Sequence, residues 1–130
     1  SNTDKKALQE GLQDGTIDAI CSHHEPLAKT AKQAPFAECK PGISNFDTFM
    51  GLACQLVKEG ILTPTQLVEK IALNPAKIAG IEASYHQTGG AVLVDPSLTW
   101  TVTKESMMSQ GKNTPFINSE LTGKVEQVYF

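Results

Sequence analysis

The chain has 130 residues, a hydrophobic fraction of 40% and a formal net charge of −3. That length suits one modest packed domain and falls short of a whole α/β barrel of about 250 residues. The acidic balance excludes a broad basic surface for nucleic acid or anionic lipid, and no apolar run nears the ~20 residues that span a bilayer.

In chain order, Asp4 to Gln13 reads as a short helix, with Leu8 and Leu12 four apart, Thr3 as N-cap and Gly15 as the stop. Ser1-Asn2 reads as an expression remnant outside the fold. Ile17 to Ser22 is apolar on both sides, the pattern of a strand buried on both faces. It runs directly into His23, His24 and Glu25. A barrel strand that ends in such polar, metal-competent side chains delivers catalytic groups to the barrel mouth. On a strand, His23 and His24 face opposite sides, which leaves Cys21, His23 and Glu25 on one face in steps of about 7 Å. That spacing is poor for a metal site built locally.

Lys29 to Lys40 has no period and is expected to be a loop, and Pro41-Gly42 turns into the clearest helix. Ser44 with Asp47 makes an acidic, capping-box-like start, followed by the apolar stripe Phe46, Phe49, Met50, Ala53, Leu56 and Val57, and Gly60 ends the helix. The stripe is expected to be core. Thr63-Pro64-Thr65-Gln66 opens another helix with an N-cap, a proline at the first helical position and Gln three residues after the cap. Leu67, Val68, Ile71 and Ala72 are its buried face. Asn74-Pro75 closes it and starts a shorter helix, Pro75 to Ala79, ended by Gly80.

The composition then changes. Gly89-Gly90 precedes a strand over Ala91 to Val94, halted by Asp95-Pro96, and further strands are expected at Thr99 to Thr103 and Val125 to Phe130. A boundary near Ser84 divides the chain into residues 1–84 and 85–130, with His86 on the surface. Cys21, Cys39 and Cys54 show no CxxC spacing and read as buried reduced thiols of a cytoplasmic protein.

The run Gln13-Asp14-Gly15-Thr16-Ile17-Asp18-Ala19-Ile20-Cys21-Ser22-His23-His24-Glu25-Pro26-Leu27 resembles the last barrel strand of the zinc dihydroorotases, members of the amidohydrolase superfamily. Their pattern there is roughly Asp-Gly-Thr-Ile-Asp-x-Ile-x-Ser/Thr-Asp-His-Ala-Pro-His. Further segments follow in the family's order: Gly42-Ile43-Ser44-Asn45-Phe46-Asp47-Thr48, then Asn74-Pro75-Ala76-Lys77-Ile78-Ala79-Gly80, Val92-Leu93-Val94-Asp95-Pro96 with Trp100, and Lys112-Asn113-Thr114-Pro115-Phe116 with Gly123-Lys124-Val125. Each alone is weak. In this order and spacing they point to the C-terminal third of a dihydroorotase-like chain.

The resemblance implies an α/β fold, the C-terminal segment of a TIM-barrel amidohydrolase, with the last strand and helices followed by strands of the accessory β-domain. It also marks two departures. His23 stands where the family has its metal-binding, proton-accepting Asp, and Leu27 where it has its substrate-contacting His. His24, Pro41 and Gly42 match retained positions of the substrate loop, while Gly90 replaces a typical Asp. All 11 basic residues are lysine, so no arginine fork clamps a carboxylate substrate from this segment. The expected chain is therefore not an enzyme as it stands and binds no metal or cofactor, although active family members use zinc.

The closest resemblance is to the non-catalytic dihydroorotase-like subunit that some bacteria assemble with aspartate carbamoyltransferase. It implies de novo pyrimidine biosynthesis in the cytoplasm, with transferase chains as partners and neither nucleic acid nor membrane. Two other readings stay open: an active zinc dihydroorotase with its remaining site residues upstream, and an independent small binding domain. A strand at Ile17 to Ser22 without neighbours favours a fragment of a longer protein, expected to self-associate through that strand and through Phe46, Phe49 and Met50.

Overall fold

The computed structural model describes residues 1–82 and 90–130. The expected boundary at Ser84, Gly89 and His86 all lie outside the described residues. Two compact units are present: Ser1–Cys21 with Ala53–Val94 and Val125–Phe130, and Ser22–Leu52 with Asp95–Lys124.

In the first unit, α1 spans Asn2–Asp14 and its N-cap is Ser1, not Thr3. The Ser1 hydroxyl accepts the Asp4 N–H while the Asp4 carboxylate accepts from Ser1, a reciprocal capping box. Gly15 takes the left-handed conformation and ends the helix. Ala53, Leu62 and Leu67 form the buried centre, with Leu12, Ile20, Leu56, Val57, Ile61 and Ile71 packed against them.

Helix α3 (Pro64–Val68) opens with the expected box, Thr63 accepting from Gln66 N–H and the Gln66 side chain accepting from Thr63 N–H. It does not stop at Asn74-Pro75. A π-helical turn, Glu69–Leu73, joins it to α4 (Asn74–Ile78). Proline lacks an N–H and crowds the carbonyl four residues back, and the wider π turn accommodates it. Asn74 N–H donates to Glu69 O, so the Lys70 carbonyl loses its usual helical donor and accepts Ile20 N–H at 2.9 Å instead. The Asn74 side-chain amide donates to Asp18 O at 2.9 Å, and the buried Lys70 ammonium donates to Ile17 O.

Ile17 to Ser22, expected as a strand, is extended chain here. Among the described residues it joins no ladder; Ile17 O, Asp18 O and Ile20 N–H bind Lys70 and Asn74, and the segment is only half-buried, with Asp18 and Cys21 exposed. Of the three free cysteines, Cys54 alone is buried; Cys39 is intermediate and Cys21 is exposed.

Helix α2 spans Phe46–Lys58 and begins two residues after Ser44. Its expected stripe is buried in part: Ala53 lies in the core with Leu56 and Val57 against it, and Phe49 and Met50 are half-buried. Phe46 is 69% exposed, while Thr48 and Gly51 are buried. Small residues are required there, since a Cβ on Gly51 would lie 3.1 Å from Gly123 O and 3.2 Å from Leu121 Cβ. The expected loop at Lys29 to Lys40 contains two short 3-10 turns, Lys29–Lys32 and Phe36–Glu38.

Strands β1 (Ala91–Thr101) and β2 (Glu120–Tyr129) form a two-stranded sheet. Asp95-Pro96 was expected to break β1, but the strand continues through it. A strand in a two-stranded ladder has one free edge, where the missing proline N–H costs no bond. The Asp95 carboxylate accepts from Ser97 N–H at 2.8 Å and Leu98 N–H at 3.1 Å, holding the backbone in register past the proline.

Candidate functional site

The second unit brings three loops together: 22–27, 41–45 and 107–113. The extended run ends at His23, whose φ of 43° places a non-glycine residue in the left-handed region. The alternation expected of a strand therefore stops there, and the His23 side chain is exposed. His24 follows as an isolated parallel bridge partner of Ile43. Its Nδ1 accepts the N–H groups of Asn45 at 3.1 Å and Phe46 at 3.0 Å, the first free donors of α2. Those partners assign the ring proton to Nε2. The edge of the ring also meets Phe46, with centroids 5.7 Å apart. An imidazole thus caps the helix from 21 residues away, where a local Ser44–Asp47 box was expected. The Ser44 hydroxyl is buried and has no hydrogen-bond partner among the described residues.

The Pro41-Gly42 turn is held against the histidine loop. Glu25 N–H donates to Ile43 O at 2.8 Å. Gly42 has φ 96°, and a Cβ there would lie 2.7 Å from Glu25 Cβ. Asn113, which carried no role in the sequence reading, ties both loops. Its side-chain oxygen accepts Leu27 N–H at 2.6 Å, its amide donates to Glu25 O at 3.0 Å and Gly42 O at 3.3 Å, and its backbone carbonyl accepts Ser44 N–H at 3.1 Å. Gly111 lets this segment lie on the backbone of Pro26 and Leu27, since an added Cβ would be 2.6 Å from Leu27 N. The signal that could have found Asn113 was its place in Lys112-Asn113-Thr114-Pro115-Phe116: a short-side-chain amide carries both donors and an acceptor for splinting two loops.

Asp47 points away from Ser44. Its carboxylate accepts Met108 N–H at 2.6 Å, together with the N–H and hydroxyl of Ser109. Partial burial pushes its carboxyl up, but the Ser109 hydroxyl and the backbone donors outweigh that and leave it below the ordinary value of 3.8. A depressed carboxylate stabilises the fold above its unfolded pKa and loses that contribution as pH falls through the folded value. Asp47→Asn is therefore expected to cost about 1.5 kcal/mol at neutral pH, the low end for bonds to a charged group because the site is partly solvated. The gap to the parent protein should close on acidification below the ordinary carboxylate range. Urea denaturation across pH measures it, and a gap unchanged by acid contradicts the assignment.

Of the residues singled out in the sequence, the structure gathers His24, Gly42 and the Leu27 backbone around Asn113 and Ile43. His23 is not drawn into that frame, and Pro41 is exposed at its rim. His23 is exposed, His24 commits Nδ1 to α2, and Leu27 offers no donor side chain. Among the described residues, no three His, Cys, Asp or Glu side chains converge.

No protein-family profile matches the chain. Curated relatives do. A dihydroorotase of Syntrophus aciditrophicus is 42% identical over 128 residues, covering 96% of this chain and 30% of the relative. A dihydroorotase of Geobacter metallireducens is 42% identical over 123 residues, covering 92% and 29%. A dihydroorotase-like protein of Pseudomonas aeruginosa is 38% identical over 128 residues, covering 96% and 30%. The chain thus spans about 30% of the length of the relatives it matches. Among solved structures, a D-hydantoinase superposes with a TM-score of 0.85 at 22% identity, over 100% of this chain and 30% of the other. A dihydropyrimidinase from Brevibacillus agri gives 0.80 at 21% identity, over 95% and 29%. The chain thus has the fold of a segment of a TIM-barrel amidohydrolase and is similar in sequence to part of the dihydroorotases.

Proposed function

We propose that this chain is the C-terminal part of a dihydroorotase-like protein that does not hydrolyse dihydroorotate and instead supports the assembly of aspartate carbamoyltransferase in pyrimidine biosynthesis. One observation carries the reading. The loop frame around Asn113 and His24 is intact, yet the two positions where the resemblance expects reacting groups hold His23, with φ 43°, and Leu27. A small carboxylate at the strand end would supply negative charge to a metal and accept the proton of the attacking water. An imidazole supplies neither the charge nor the short reach, and an isobutyl group donates no hydrogen bond to a substrate.

The protein is expected to retain far less than about one zinc ion per chain through dialysis, and His23→Asp alone is expected to create no turnover of dihydroorotate. Leu27 would still leave the substrate without its histidine contact, and groups that act as a unit do not recover singly. Elemental analysis and a hydrolysis assay of the whole protein check both statements. Stoichiometric zinc or measurable turnover would overturn the inactive reading. The assembly role is tested by mixing the protein with aspartate carbamoyltransferase chains and reading sedimentation; independent sedimentation of the two removes it. A second reading, an active zinc dihydroorotase completed by the rest of the protein, draws on the relatives that carry that name at 42% identity.

A further inference from the structure

Beyond that reading, the second unit contains an open cleft of about 450 Å³. It borders Leu27 and Asn113, but the rest of its lining is not used by the frame described above. Lys32, Lys104 and Lys112 line it together with Gln110 and Ala28, and no carboxylate does. In a chain of net charge −3, this convergence runs against the composition.

We propose that this cleft binds a small phosphorylated molecule through the ammonium groups of Lys32, Lys104 and Lys112. Two of the lysines are anchored. Lys112 donates to Met107 O at 2.7 Å and Lys32 donates to Lys40 O, which leaves each ammonium two further N–H donors. Among the described residues, the one ion pair is Ser1 with Asp4, so none of the three lysines is paired with a carboxylate. One acid, the exposed Glu105, feels two of these lysines. Its carboxyl is held low first by its own backbone N–H and by Thr103, and then by Lys104 and Lys112. It offsets one of the three charges and leaves a net positive cleft.

The chemistry favours phosphate over carboxylate. Carboxylates are best held by the planar guanidinium fork, which this chain lacks, whereas ammonium groups act as point charges around the several oxygens of a phosphate. Leu27 and Ala28 supply an apolar wall for the rest of the ligand. Exposed charges are screened by salt, so affinity is modest and depends on ionic strength.

Calorimetric titration of the purified protein with inorganic pyrophosphate at low ionic strength tests the site. The expected result is one saturable site of about millimolar Kd, weakened about tenfold in the Lys104→Gln/Lys112→Gln double variant. Lys5→Gln/Lys6→Gln on α1 should leave binding unchanged, and succinate should not bind. If Lys112→Gln disturbs folding through Met107, Lys104→Gln alone, judged against circular dichroism, carries the test with a smaller loss. No saturable binding, equal loss in the α1 variant, or succinate binding as well as pyrophosphate would overturn the proposal.

Discussion

Gly42→Ala is expected to cost about 3 kcal/mol or more of stability. Two separable causes act. At φ 96° every L-residue is strained, at roughly 1–3 kcal/mol. The added Cβ would also lie 2.7 Å from Glu25 Cβ, and overpacking of this kind costs about 1–3 kcal/mol. Glu25 cannot simply withdraw, because its N–H is bound to Ile43 O at 2.8 Å. Gly60→Ala isolates the first cause: φ is 71° and nothing lies within 4 Å of the new Cβ, so the expected loss is only about 1–2 kcal/mol. Adding Glu25→Gly to Gly42→Ala should relieve the overlap but not the backbone strain, a coupling of about 1 kcal/mol or more. Denaturant midpoints at constant m-value give all of these terms. Equal costs at Gly42 and Gly60 would show that Glu25 does not press on the turn.

Asn113→Ala is expected to cost about 2–3 kcal/mol. It leaves Leu27 N–H without its acceptor at 2.6 Å and removes the donor shared by Glu25 O and Gly42 O. Asn113→Asp separates the two halves of the splint. The aspartate still accepts Leu27 N–H but turns a negative oxygen toward two carbonyls, so its cost should be similar to that of alanine. Hydrogen exchange distinguishes the variants: the Leu27 amide should lose protection in the alanine variant and keep more of it in the aspartate variant. A loss under about 0.5 kcal/mol in Asn113→Ala would mean that the loops hold together without it. The same two variants bear on function, because Asn113 fixes the backbone from which Leu27 and His24 project.

Much of the local architecture was legible in the sequence. The box at Thr63, Pro64 and Gln66 formed as expected, as did the glycine stop at Gly15. Such signals need only residues a few positions apart, so composition and spacing contain them. The ordered motifs resemble those of an amidohydrolase barrel segment, and the fold agrees with that resemblance. The remainder depended on partners distant in the chain. His24 caps α2 across 21 residues, Asp47 binds Ser109 across 62, and Asn113 reaches Glu25 across 88. The capping-box reading of Ser44 and Asp47 failed because a stronger set of backbone donors at Met108 and Ser109 claimed the carboxylate. Ile17 to Ser22 has the side chains of a buried strand, but among the described residues it joins no ladder, and Lys70 and Asn74 bind only Ile17 O, Asp18 O and Ile20 N–H. A sequence names the groups that need hydrogen bonds; which distant groups provide them is decided only when the chain has folded.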